Sequence, residues 1–169
     1  MVDIVIENIT KKFGDFKAVS DLKIVFEHGQ LSCLLGPSGC GKTTLMRIVA
    51  GLESPTLGRV FFGDKDVTAW PARKREVGMV FQYPVMYPTL SVRENISIPL
   101  KHKQSLSSSN IEQRVDEVLE ILDLKDQARA FIEELSAGDR QKVAVGRAVI
   151  RRSEVLLFEE DDLKWSEME

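Results

Sequence analysis

Eight consecutive residues, Gly36-Pro37-Ser38-Gly39-Cys40-Gly41-Lys42-Thr43, fill the pattern G-x-x-x-x-G-K-[ST] in full. Its glycines let backbone N–H groups turn inward around phosphate oxygens where a Cβ would obstruct them. A helix beginning near Lys42 adds the positive end of its dipole. Lys42 is suited to the β- and γ-phosphates of a nucleoside triphosphate, and the Thr43 hydroxyl to a Mg2+ ion. The competing reading is a Gly-rich turn that only caps a helix. An apolar run before the motif and a helical pattern after it favour phosphate.

The elements that must position this loop follow from periodicity. Residues 31–35 form a short, mostly apolar run, predicted as a buried strand, and Lys42–Ala50 is predicted as a helix with Gly51 at its C′ position. Upstream, residues 1–8 and 19–27 alternate, with Ile4 and Ile6, then Leu22, Ile24 and Phe26, on one face. They read as half-buried strands joined through Phe13-Gly14-Asp15. Further strands are predicted at 58–62, closed by Gly63-Asp64, and at 77–81. Residues 91–132 read as mainly helical, with Ser109 and Glu112 as a capping box ahead of Ile111, Val115, Val118, Leu119 and Leu122. A helix over 138–152 with Ser136 near its N-cap, then a buried strand at 155–158, complete the pattern.

Composition narrows the class. The 169 residues hold 23 Lys plus Arg against 26 Asp plus Glu, a net charge of −3, which is not the basic footprint of a nucleic-acid binder. An apolar fraction of 43 % suffices for a packed core. The longest apolar run is five residues, too short to span a bilayer, and the acidic opening MVDIVIENIT lacks the positive start of a secretory leader. Cys33 and Cys40 are the two cysteines, too few for a disulfide framework, so a reducing, cytoplasmic setting is expected. The last eleven residues, EEDDLKWSEME, carry a net −5, which leaves +2 on residues 1–158.

Several motifs in order carry a family resemblance: Lys11-Lys12-Phe13-Gly14, GPSGCGKTT, Val80-Phe81-Gln82, Leu135-Ser136-Ala137-Gly138-Asp139 and Glu154-Val155-Leu156-Leu157-Phe158. Over 1–158 the sequence resembles the ATP-binding subunit of an ABC transporter. GDKDVT at 63–68 and YPTLSVRENISIPL at 87–100 resemble the sugar-importer branch in particular. The resemblance implies an α/β fold: a P-loop NTPase core, an N-terminal antiparallel β-subdomain and a helical subdomain at about 90–135. Residues 159–169 would be a divergent acidic tail, and the C-terminal part of the family's fold would be missing.

The resemblance also implies roles. ATP and Mg2+ are the expected ligands. Gly36, Pro37, Ser38, Gly39, Cys40, Gly41, Lys42, Thr43 and Thr44 would hold the phosphates, and Phe13 would stack on adenine, with a core Phe as the alternative. Ser136 and Gly138, at a second anion-binding helix end, would contact the γ-phosphate held by another nucleotide-binding subunit in a head-to-tail dimer. Thr43, Gln82 and Glu159 would hold the metal, with Gln82 and Glu160 serving the attacking water. Residues 83–100, through Tyr83, Met86 and Tyr87, would face transmembrane permease subunits, which places the chain peripherally on the cytoplasmic face of a membrane. No nucleic-acid partner is expected.

Departures from the pattern bear on turnover. SAGDR stands where the family usually has SGGQR: Ala137 adds a methyl beside phosphate, and Asp139 adds a charge. Repulsion between unit charges 4 Å apart is about 1 kcal/mol in water and about 4 kcal/mol at an intermediate dielectric. Glu159 stands where an aspartate is usual, although Mg2+ demands tight geometry. The residues after Glu160 leave the pattern, and the chain ends before any switch histidine; His28 and His102 read as surface residues. A truncated or degenerate nucleotide-binding module without turnover is therefore the alternative. A GTPase is disfavoured by the lack of N-K-x-D, and a kinase by the 135–139 signature.

Overall fold

The alternation at the N-terminus extends beyond the predicted strands. β1 (Ile4–Phe13) and β2 (Phe16–Phe26) form an antiparallel hairpin in which Phe13 faces Phe16 across the Gly14-Asp15 turn. Gly14 takes φ +58, the left-handed conformation that lets a two-residue loop follow the twist of its strands. The computed structural model describes residues 2–83, 85–101 and 106–159. They fall into two units, one running to Val77 and taking in Glu159, the other Gly78–Phe158.

In the first unit, β3 (Leu57–Phe62) pairs with the other edge of β1 and is followed by a short β4 (Lys65–Asp66), giving the antiparallel order β2-β1-β3-β4. Ile6, Ile9, Val60, Phe62 and Val67 are buried. The β1–β3 register shifts between Glu7 and Thr10, where Gly58 takes φ +91. A Cβ on Gly58 would lie 2.4 Å from the Asn8 carbonyl oxygen, so the two backbones meet there only because the residue is glycine. α1 (Lys42–Ala50) buries Leu45, Ile48, Val49 and Ala50 and ends at Gly51, with φ +74, as predicted. α2 (Ala72–Arg75) is one turn long.

The second unit pairs β5 (Gly78–Val80) in parallel with β6 (Leu156–Phe158). Its helices are α3 (Val92–Lys101), α4 (Ser108–Ile121) and α5 (Ala137–Val149), with a 3-10 turn at Ile132–Glu134. Val92, Ile96, Leu100, Val115, Leu119 and Val143 pack into one apolar cluster. A Cβ on Gly146 would reach within 3.2 Å of Ile96 Cδ1, so α5 lies close against α3.

Four expectations are corrected. Residues 31–35 are not a buried strand: no ladder reaches them among the described residues, and Leu31 and Leu35 stand 98 % and 84 % exposed. An apolar run becomes a strand only where another strand offers it N–H and C=O groups. β6 forms but leaves Leu156 and Phe158 exposed. Ser107, rather than Ser109, caps α4: its backbone is extended and its Oγ accepts from Asn110 N at 3.2 Å, whereas Ser109 lies in the first turn. Three serines in a row made the pattern ambiguous by one turn position. α5 spans Ala137–Val149 rather than 138–152, and the predicted helical stretch 91–132 is α3 and α4 with residues 102–105, His102 among them, outside the described residues.

Candidate functional site

The phosphate loop lies in the first unit and is built from its glycines. Gly39 and Gly41 take φ +79 and +98, where side chains are strained, and a Cβ on Gly41 would lie 2.4 Å from the Ala18 carbonyl oxygen of β2. A Cβ on Gly36 would lie 2.8 Å from Cys40 Sγ, so the loop closes tightly on itself. Lys42 reaches back over it: its Nζ donates to the Gly36 carbonyl and, at 3.1 Å, to the Pro37 carbonyl. The ammonium group thus folds back onto the carbonyls that open the loop.

α1 begins with no acidic residue in its first turn and no side-chain cap at Gly41. Most helices fill this end with a Ser, Thr, Asn or Asp oxygen. A helix start without a side-chain cap or a nearby acid is one that an anion can approach. Ser38 and Thr43 are exposed and Thr44 is half-buried. Among the described residues no three His, Cys, Asp or Glu side chains gather as a metal cage.

Phe13 closes β1 and is 49 % exposed, with Lys11 Nζ 4.8 Å from its ring centre. The core alternative for Phe13 is thereby removed. Lys11 is held in turn by Glu53 Oε1 at 2.6 Å and the Ser54 carbonyl at 2.8 Å, and this pairing holds the Glu53 carboxyl below its ordinary range. His28 is a surface residue, its ring 3.0 Å from Asp3.

The second unit carries Gln82, Ser136 and Gly138. Gln82 follows β5 and is half-buried. Tyr83 and Val85 beyond it are 78 % exposed and Tyr87 is 45 % exposed, while Met86 packs inward. Two side chains that the sequence reading passed over shape this loop. Asn95, fully buried on α3, accepts from Tyr87 N at 3.0 Å and donates to the Tyr87, Leu90 and Ser91 carbonyls at 2.9–3.0 Å. Arg147 on α5 donates to the Val85 carbonyl and lies over the Tyr87 ring at 5.2 Å; burial holds its pKa below the usual arginine range. A polar residue on the apolar face of α3 was the available signal for Asn95.

Ser136 caps α5 as expected: its Oγ accepts from Asp139 N at 3.1 Å. Ser136 and Gly138 are exposed at this helix start. The same hydroxyl donates to Asp139 Oδ2 at 2.7 Å, a bond that, with Lys142 nearby, lowers the Asp139 pKa. Glu159 follows β6 and is half-buried, while Glu160 and the remainder of the acidic tail lie outside the described residues.

Known proteins place this arrangement. The chain is 43 % identical over 157 residues, 93 % of its length, to the Fe(3+) ions import ATP-binding protein FbpC of Vibrio cholerae, and 44 % identical over 154 residues to that of Brucella abortus strain 2308. It spans 44 % and 43 % of the lengths of these relatives. Their names carry Fe(3+) import, so the likeness of 63–68 and 87–100 to sugar importers does not single out that branch. The solved ATP-binding cassette MJ1267 of an ABC transporter superposes with a TM-score of 0.82 at 28 % identity, over 92 % of this chain and 68 % of that one. The ABC transporter family model matches residues 19–161, phosphate loop and α5 included, and the chain belongs to that family.

Proposed function

We propose that this chain is an ATP-binding subunit of an ABC importer, which binds Mg·ATP and couples its hydrolysis to solute uptake. The observation that carries the reading is the start of α1: an uncapped helix end free of acids, entered through strained glycines, with Lys42 folded back onto the carbonyls that open the loop. Gly36 to Thr44 surround the phosphates and Phe13 offers a π-face to the base. Stacking of that kind supplies affinity more than base selectivity. Thr43, Gln82 and Glu159 are the residues that would hold Mg2+, which neutralises charge on the phosphates when bound. Glu160 is the proposed base for the attacking water, with Gln82 orienting it.

The relatives' names support Fe(3+) as the solute class. The exposed Tyr83, Val85 and Tyr87 give the loop after Gln82 an apolar face for permease subunits. Ser136 and Gly138 are proposed to meet the γ-phosphate of a second, head-to-tail subunit. A second reading, nucleotide holding without turnover, is favoured by the Asp139 carboxylate on the Ser136 hydroxyl.

The test is phosphate release by the purified chain with Mg·ATP, beside its ATP affinity. Lys42→Ala should weaken ATP binding by roughly a hundredfold or more, because it removes the cation facing the terminal phosphates. Unchanged affinity in that variant would overturn the phosphate-loop reading. Binding without release, in the presence of permease partners, would decide for the second reading. Release that Glu160→Gln abolishes would decide for the first.

A further inference from the structure

α1 is nine residues long, and the phosphate loop runs straight into it, so the aim of the loop's N–H groups depends on how the helix axis is held. At its first residues the hold is steric, through Gly41 against the Ala18 carbonyl of β2. At its far end Ile48, Val49 and Ala50 are buried, the backbone of Gly51 and Leu52 caps the last turn, and one charged side chain joins them. Arg75, 6 % exposed, donates from Nη1 to the Ile48 carbonyl at 2.6 Å, which also accepts from Gly51 N, and to the Val49 carbonyl at 2.9 Å, both in the last turn, whose carbonyls lack a partner within the helix. The same guanidinium donates from Nε to the Trp70 carbonyl and from Nη2 to the Thr68 carbonyl, both at 2.9 Å. Thr68 is itself tied to β3, its Oγ1 accepting from Val60 N at 2.9 Å. Gly51 leaves the space: a Cβ there would lie 2.7 Å from Arg75 Nε.

These contacts make Arg75 a strut from β3 to the C-terminal turn of α1. It also sets a permanent cation at the negative end of the helix dipole, opposite the end that receives phosphate. From this we infer that Arg75 is a positioning residue for nucleotide binding, setting the axis of α1 and through it the aim of the phosphate loop. The inference rests on the ATP-binding reading. A lysine in its place keeps the charge but not the planar fork that serves four carbonyls at once.

The experiment measures binding of ATP and of inorganic tripolyphosphate to the chain by calorimetry, in the wild type, Arg75→Lys and Arg75→Met. A control is Val143→Ala, a core truncation in the other unit, with thermal midpoints recorded for all. Arg75→Lys should weaken both ligands by roughly tenfold, and Arg75→Met by more, while Val143→Ala binds as wild type despite a lowered midpoint. Should the Arg75 variants not fold, the wild-type Arg75 Nε–H resonance carries the test: it should shift on adding tripolyphosphate. Wild-type affinity in a folded Arg75→Lys, an equal loss in Val143→Ala, or an unmoved resonance would overturn the inference. A wild-type chain that binds neither ligand would instead overturn the ATP-binding reading on which it rests.

Discussion

Ser136 and Asp139 are joined twice at the start of α5: the serine oxygen accepts from the aspartate's backbone N–H at 3.1 Å, and its proton goes to Oδ2 at 2.7 Å. The pair is a side-chain clasp over the helix end that is proposed to meet the γ-phosphate of a second subunit. It stabilises the isolated helix, because an anion in the first turn suits the dipole. It also commits the serine proton to a carboxylate.

This pair has a defined pH dependence. The hydrogen bond from Ser136 and the nearby Lys142 hold the Asp139 pKa below its ordinary 3.8. A carboxyl depressed on folding adds stability that is fully present above the unfolded value and is lost as pH falls through the folded one. Carboxyl-carbon NMR should find Asp139 titrating below 3.8, and Ser136→Ala should move it upward. A midpoint at or above the ordinary value in the wild type would remove the clasp. Asp139→Gln should strengthen Mg·ATP-driven pairing of subunits, read by light scattering.

Gly41→Ala tests the steric hold on the phosphate loop. The position has φ +98 and no room for a Cβ beside the Ala18 carbonyl. Strain of this kind costs about 1–3 kcal/mol, and either the loop or β2 must shift. Urea unfolding should show that loss together with weakened ATP binding. Full stability would mean the loop is held elsewhere.

Asn95→Leu should cost about 2–4 kcal/mol. The substitution strands the Tyr87 N–H and the Leu90 carbonyl beside a fully buried side chain, while the Tyr87 and Ser91 carbonyls keep the Leu90 and Asn95 backbone N–H groups. A loss below about 1 kcal/mol would show that water or another side chain takes over those bonds.

Phe13→Ala should weaken ATP and GTP binding alike, by roughly tenfold, the scale of one base stacked on an aromatic ring. Phe13 is half exposed on a strand end, so stability should change little. A loss confined to one of the two nucleotides would assign Phe13 a part in base selectivity.

Local chemistry is legible in this sequence, and distant partnership is not. The phosphate loop, the start of α1 at Lys42 and its stop at Gly51 were readable because each depends on residues within one or two turns: glycines for positive φ, a Lys and a Thr at set spacing. The same holds for the Phe13–Phe16 hairpin and the Ser136 cap. Tertiary structure alone decided that residues 31–35 join no ladder among the described residues and leave Leu31 and Leu35 exposed, since an apolar run cannot announce whether another strand will reach it. It alone placed Arg75, one basic residue of four in Arg73-Lys74-Arg75 and Arg47, under the end of α1, twenty-six residues upstream of it in sequence. Charge in a sequence looks the same in solvent and in a core; only the carbonyls that the fold gathers around a guanidinium tell which it is.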